Sequence, residues 1–296
     1  MSIFSKLFGN RRQNRVNSRW NEFTFPGDIR EPSAVGVFAS SGVSSIWSAV
    51  YMARALQESY PDVPLHFAVN RDMAEIAGFL PWKPEIHVFD NDPGALDPEL
   101  PGGMLLFVAE PDEDLLRFVE KTTPCACASF NSHPAVNIRV KIEDDLLPGA
   151  IHNMMKVLKL KTAGGWIPEA PAILSEKASA ILSPVSHRTL PYILATESVA
   201  SILEKKRAEI PLKLVITDGK TSNIPPGIDQ PLLAAIVAGA SAVITTDRDI
   251  WIHAAALRVP VIGLDRKGSF TGWDREASTG DTQFLEEWAA LIRRGW

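Results

Sequence analysis

Near the end of the chain, TTDRDIWIHAAALRVPVIGLD runs from Thr245 to Asp265. Asp247 and Asp249 flank Arg248, and His253 follows Asp249 by four positions, so Asp249 and His253 can share one helix face. A carboxylate in a first helical turn complements the helix dipole, which by itself accounts for Asp249. An inward-turned His253 bonded to neighbouring backbone is an equally ordinary reading. The chemical reading is that Arg248, Asp249 and His253 meet the phosphates or sugar of a nucleotide. Against it, the turn has no glycine where a phosphate would approach the backbone.

Two further loops have residues of the right types. SSGVSS offers Ser40, Ser41, Gly42, Ser44 and Ser45 between a strand-like run and a helix-like one. Small residues there let a ligand reach the backbone, and a helix N-terminus favours an anion. The plain alternative is a cap, with Ser44 or Ser45 satisfying free amides. SPVSHRT offers Ser186, His187 and Arg188, of which the arginine could grip a phosphate through two parallel hydrogen bonds. Its plain alternative is a solvated polar loop.

Other groups point away from chemistry. The carboxylates Asp112 to Asp114 and Glu143 to Asp145 resemble helix starts. The six histidines are scattered without metal-ligand spacing, so no metal and no cofactor are expected. Cys125 and Cys127 alternate along a strand-like run and read as packing residues. The G-x-G-x-x-G, G-x-S-x-G and Walker patterns are all absent, which counts most against a nicotinamide oxidoreductase.

The elements that must carry these loops alternate in period. Ala34 to Ala39 is a short apolar run, followed by Ile46, Val50, Ala53, Leu56 and Tyr60 at helical spacing. Strands are expected at Leu65 to Val69, Glu85 to Phe89, Met104 to Ala109 and Cys125 to Phe130, with helices at Arg71 to Phe79 and from Asp112. GGWIPEAPAI, Gly164 to Ile173, reads as a linker. Beyond it, strands are expected at Ala180 to Val185, Leu212 to Thr217, Ser241 to Thr246 and Val259 to Leu264. Helices are expected over Thr189 to Arg207, from Asp229, over Ile250 to Leu257, and in the closing FLEEWAALIRR. This alternation implies an α/β protein of two Rossmann-like, doubly wound domains, 34–165 and 166–296, after an extension of residues 1–33. Ligands of such sheets sit beyond the carboxyl ends of strands, and two domains face to face would make the cleft between them the default site.

Composition sets outer bounds. The 296 residues are 46% hydrophobic and 22% charged, ample for packed cores. A net charge of −5 gives no reason to expect nucleic acid. The cysteine usage and the lack of a membrane-span or signal pattern suit a cytoplasmic, reducing location. The first residues set Ile3, Phe4, Leu7 and Phe8 beside Lys6, Arg11, Arg12, Arg15 and Arg19, a pattern that could touch an anionic inner-membrane surface weakly. A terminus that packs on the domain or stays mobile is the favoured reading.

LLAAIVAGASAVITTDRDIWIHAAALRVPVIGL resembles the stretch of the ADP-heptose:lipopolysaccharide heptosyltransferase family in which a helix and strand lead into D-T-G-x-x-H-L-A-A and a V-P-V-like strand. AVGVFASSGVSSIWSAVYMARALQESYPDVPLHFAV is similar, more weakly, to the family's opening strand, S-S-x-G-D loop and helix. AIHNMMKVLKL resembles the segment ending its first domain. The resemblance implies a GT-B fold, a metal-independent glycosyltransferase, an acceptor (glycan or lipid-linked) mainly on the first domain and a nucleotide-sugar on the second. His253 matches the family histidine. In place of D-T-G stand Arg248, Asp249 and Ile250, and Val43, Ser44 or Ser45 stands where a catalytic Asp is expected. A serine hydroxyl is no general base at neutral pH, so Asp90, Asp92 and Glu110, each near a strand end, are the candidate replacements. Two expectations result: a nucleotide-sugar or nucleotide-diphosphate protein transferring a heptose-like sugar to a cell-envelope acceptor, or an inactive relative that binds or assembles.

Overall fold

The computed structural model describes residues 32–96, 100, 104–122, 124, 126–141, 147–161, 166–183, 191–204, 213–220 and 222–263. The chain divides into two compact units between Glu169 and Ala170.

In the first unit, β1 (Val35–Ala39) leads through Ser40–Gly42 into α1 (Val43–Ser59), followed by β2 (Leu65–Asn70), a 3₁₀ helix (Arg71–Phe79) and β3 (Glu85–Phe89). Then come β4 (Leu105–Phe107), α2 (Glu113–Thr122), β5 (Ala126–Ser129), the two-residue β6 (Ile138–Arg139) and α3 (Leu147–Val157). All strands pair in parallel, in the order β3-β2-β1-β4-β5-β6. Every residue of β1, β4 and β5 is buried, as expected of strands covered on both faces. On one face Phe38 stacks on Phe89 with ring centroids 5.6 Å apart and meets Phe118 of α2 at 4.8 Å. Cys127 lies in this cluster, fully buried. Burial pushes its thiol well above the usual range, so Cys127 packs and does not react.

In the second unit, α4 (Ala172–Leu182) precedes β7 (Tyr192–Ala195), α5 (Glu197–Glu204), β8 (Lys213–Ile216), α6 (Gln230–Ala238), β9 (Ala242–Thr245), α7 (Arg248–Ala256) and β10 (Val261–Gly263). Its parallel sheet has the order β10-β9-β7-β8. α6 starts cleanly because Asp229 accepts from Leu232 N at 2.8 Å and Pro231 sits in its first turn, where no amide is needed.

Three local expectations change. The apolar residues expected as a strand over Ala180–Val185 belong, as far as Leu182, to α4, whose Leu174, Ala178 and Leu182 are buried at four-residue spacing. The expected linker Gly164–Ile173 therefore ends at Pro171, the N-cap of that helix. The single helix expected over Thr189–Arg207 resolves into β7 and α5. A four-residue strand buried on both faces, YILA, shows no alternation, so periodicity merges it with the helix that follows. Third, α1 is not capped by a serine. Its N-cap is Gly42, without a side-chain bond, and Ser44 and Ser45 fall inside the first turn, too late to cap.

Among the described residues, no helix is long and apolar enough to cross a membrane. The N-terminal extension, Cys125 and the closing FLEEWAALIRR fall outside those residues, apart from positions 32 and 33.

Candidate functional site

A doubly wound sheet opens its crevice where the strand order reverses. In the first unit that place lies between β1 and β4, and the loops leaving those strands carry Ser40–Ser45 and Glu110. Ser44 Oγ donates to Glu110 Oε1 at 2.6 Å. Ser40 N donates to Ser45 Oγ at 3.1 Å, which folds the loop onto the buried start of the helix. Ser41 and Gly42 are exposed, and a Cβ added at Gly42 would meet nothing within 4 Å. The first turn of α1 thus starts at an exposed glycine, beside a half-buried carboxylate held by Ser44. The other two candidate bases are engaged elsewhere: Asp90 accepts from Arg71 at 2.7 Å, and Asp92 pairs with Lys121.

The second unit reverses its strand order between β7 and β9. Thr196, just past β7, and Thr246, just past β9, approach each other there. Thr246 N donates to Thr196 Oγ1 at 3.2 Å, their hydroxyls lie 3.3 Å apart, and Ser198 Oγ is 3.2 Å from Thr246 Oγ1. Beside this trio lies a pocket of about 180 Å³, lined by Thr196, Thr217, Asp218, Gln230, Asp247 and Asp249 among others.

The pocket is acidic, and its carboxylates have local work. Asp247 Oδ1 accepts from Asp249 N at 2.8 Å and Ile250 N at 3.1 Å, capping α7. Asp218 accepts in the same way from Glu197 N, at the start of α5. Both helix N-termini at this switch point therefore already hold an internal anion. Asp249, though exposed, has its carboxyl pushed above the ordinary range, first by partial desolvation against the pocket wall and then by the Asp247 charge, against the pull of Arg248. No lysine, arginine or histidine is among the described lining residues; Arg248 is exposed at the first position of α7.

His253 does not face a ligand. It is completely buried, with Nε2 2.9 Å from Gln230 Oε1, and burial holds its pKa down at about 3. The neutral ring helps fix the rotamer of Gln230, whose residue lines the pocket, so His253 touches the site through it. Arg248 and Asp249, by contrast, are exposed. Ser186, His187 and Arg188 lie outside the described residues. The described elements on either side of them are α4 and β7, and β7 is the first described strand of this unit. The equivalent loop of this unit is Thr196–Glu197.

Sequence reasoning passed over the Thr196, Ser198 and Thr246 hydroxyls, Asp218 and Gln230. It also missed His66, Glu85 and His87, which the register of β2 and β3 brings together. A small polar residue directly after each buried apolar run was the available signal for Thr196 and Thr246.

No protein-family model matches the chain, and no curated protein matches its sequence. Solved structures do resemble it. ADP-heptose LPS heptosyltransferase II of E. coli superposes with a TM-score of 0.60 at 14% identity, covering 88% of this chain and 99% of that one. A glycosyl transferase family 9 protein from Veillonella parvula gives 0.64 at 11% identity, covering 90% of each chain. The E. coli heptosyltransferase WaaC with ADP gives 0.57 at 13% identity, covering 87% of this chain and 98% of that one. At such identities the likeness is one of fold, and the fold is that of the GT-B glycosyltransferases.

Proposed function

We propose that this protein is a metal-independent glycosyltransferase of the GT-B type, with a nucleotide-sugar on its second unit and the acceptor on its first. The observation that carries the reading is the Ser44–Glu110 pair at the first unit's switch point. It supplies a carboxylate where the motif comparison finds the expected Asp missing. Glu110 takes the proton of the acceptor hydroxyl as that oxygen attacks the anomeric carbon, while the bond to the diphosphate breaks and the diphosphate leaves with the electron pair. Ser44 holds the carboxylate in place. The start of α1, whose Ser44 binds Glu110, lends partial positive charge to that carboxylate.

On the second unit, Thr196, Ser198 and Thr246 offer hydroxyls, and Asp218, Asp247 and Asp249 offer carboxylates suited to ribose or sugar hydroxyls. A diphosphate is repelled by those carboxylates and must lean on Arg248, whose planar guanidinium can pair with phosphate in parallel bonds. The neighbours' names include ADP and ADP-heptose, which supports a heptose-like donor and a cell-envelope acceptor for this chain too. Calorimetric titration with ADP- and UDP-sugars tests this. Saturable binding that weakens in Arg248→Ala supports it, and no heat at millimolar ligand sinks it.

One observation favours a second reading, a relative that has kept the fold and lost the reaction. Asp247 and Asp218 occupy the very amides a leaving diphosphate would use. Turnover separates the two: an inactive relative releases no nucleoside diphosphate from any donor, with or without acceptor, while retaining its fold.

A further inference from the structure

His66 is the second residue of β2 and Glu85 the first of β3, and parallel pairing sets them side by side. His87, two residues on, points to the same face as Glu85. Both histidines are buried, whereas the Glu85 side chain is 66% exposed. His66 Nδ1 lies 2.9 Å from His87 Nε2 and 3.2 Å from Glu85 Oε2, and one ligand atom from each residue falls within 4.8 Å of the other two.

Protons alone serve this arrangement poorly. With both rings neutral, either His66 Nδ1–H is shared between a ring nitrogen and a carboxylate oxygen, or His87 donates and the bare Nδ1 lone pair faces the carboxylate. A doubly protonated His66 would satisfy the carboxylate only by placing a charge on a buried ring that already faces a second imidazole nitrogen at 2.9 Å. A cation meeting all three lone pairs resolves the conflict.

We infer that His66, Glu85 and His87 bind one divalent transition-metal ion, and that Zn²⁺ is the ion their chemistry fits. Imidazole and carboxylate together suit zinc, whereas calcium and magnesium prefer oxygen alone. Ligands about 2.0–2.1 Å from a tetrahedral zinc stand roughly 3.3 Å from one another. The two contacts of His66 Nδ1, 2.9 Å and 3.2 Å, lie within a few tenths of an ångström of that spacing, and the exposed Glu85 side chain is free to turn and set the third. Glu85 also borders an open pocket of about 360 Å³ with Trp82, Lys83 and Pro84, which gives an ion a route in and a water the fourth position. The site lies at the amino ends of its strands, whereas Glu110 follows the carboxyl end of β4. The metal therefore clamps the edge strand β3 to β2 and takes no part in transfer.

The test uses the full chain stripped with a chelator and titrated with Zn²⁺ by calorimetry and thermal unfolding. Wild type takes up one equivalent and its Tm rises, because ligand binds only the folded state. Glu85→Gln, at an exposed position, keeps its far-UV CD and binds about tenfold or more weakly. His87→Gln abolishes binding; should it fail to fold, Glu85→Gln decides. Imidazole NMR shows Zn²⁺ shifting the His66 and His87 rings. No uptake by wild type, unchanged uptake in Glu85→Gln, or shifts confined to other histidines overturns the site.

Discussion

Ser44 and Glu110 share a 2.6 Å hydrogen bond although 66 residues separate them in sequence. The bond exists because β1 and β4 are neighbours in the sheet, so the loops leaving them open side by side. Glu110→Gln keeps the shape and the contact while removing the base. Sugar transfer measured with labelled donor should fall by about 10²–10⁴-fold, with donor affinity unchanged by calorimetry. Ser44→Ala should cost less, since it frees the carboxylate without removing it. Equal transfer by wild type and Glu110→Gln would rule Glu110 out as the base.

Asp247→Ala has two effects of opposite sign. Losing the α7 cap should lower stability by about 1 kcal/mol in urea denaturation. The same change frees the amides of Asp249 and Ile250 and removes a negative charge beside the pocket. Nucleoside diphosphate affinity should therefore rise as stability drops. A fall in both would mean that the carboxylate itself holds the ligand.

His253 sets an acid limit. Its folded pKa of about 3 lies below the ordinary 6.5, so the unfolded chain takes up a proton that the folded chain refuses. The stabilising contribution is complete above about 6.5 and is lost as pH falls toward 3. Within that window the contribution to the gradient approaches about 1.4 kcal/mol per pH unit. His253→Gln is less stable at neutral pH, through altered packing around Gln230, and its stability should decline less steeply between pH 6.5 and pH 4. Parallel pH profiles for the two proteins would remove His253 as the titrating group.

Two glycines at similar positive φ separate strain from crowding. Gly227 has φ of 75° with nothing near an added Cβ, whereas at Gly219, φ 76°, a Cβ would come within 1.8 Å of Glu197 Oε2. Gly227→Ala should cost about 1–2 kcal/mol from backbone strain alone. Gly219→Ala should cost more, because Glu197, the first residue of α5, must also move. Equal costs would show that Glu197 swings aside freely.

Much of the fold was legible in the sequence. The runs 35–39, 65–70 and 85–89 are short, apolar and β-branched or aromatic, and the helices between them show their period openly. Asp229 and Pro231 announce the start of α6 by type alone. The failure at 180–207 is local too: short apolar runs without polar partners carry no period, and only pairing with β8 and β9 makes Tyr192–Ala195 a strand.

The sites were less legible, for a different reason. Exposure of Arg248 and Asp249 follows from their place at a helix start. That Asp247 turns its carboxylate onto its own helix, that His253 is sealed against Gln230, and that Thr196 meets Thr246 across 50 residues are facts of three dimensions. His66 and His87 look scattered along the chain because a parallel register, with its crossover, separates partners by about one strand–helix unit. Sequence by itself thus determined which segments form strands and helices and which loops are small or charged, since local sterics and burial periodicity act within a few residues. Strand order and register decided which of those loops share a switch point, because that choice rests on packing between residues far apart in the chain.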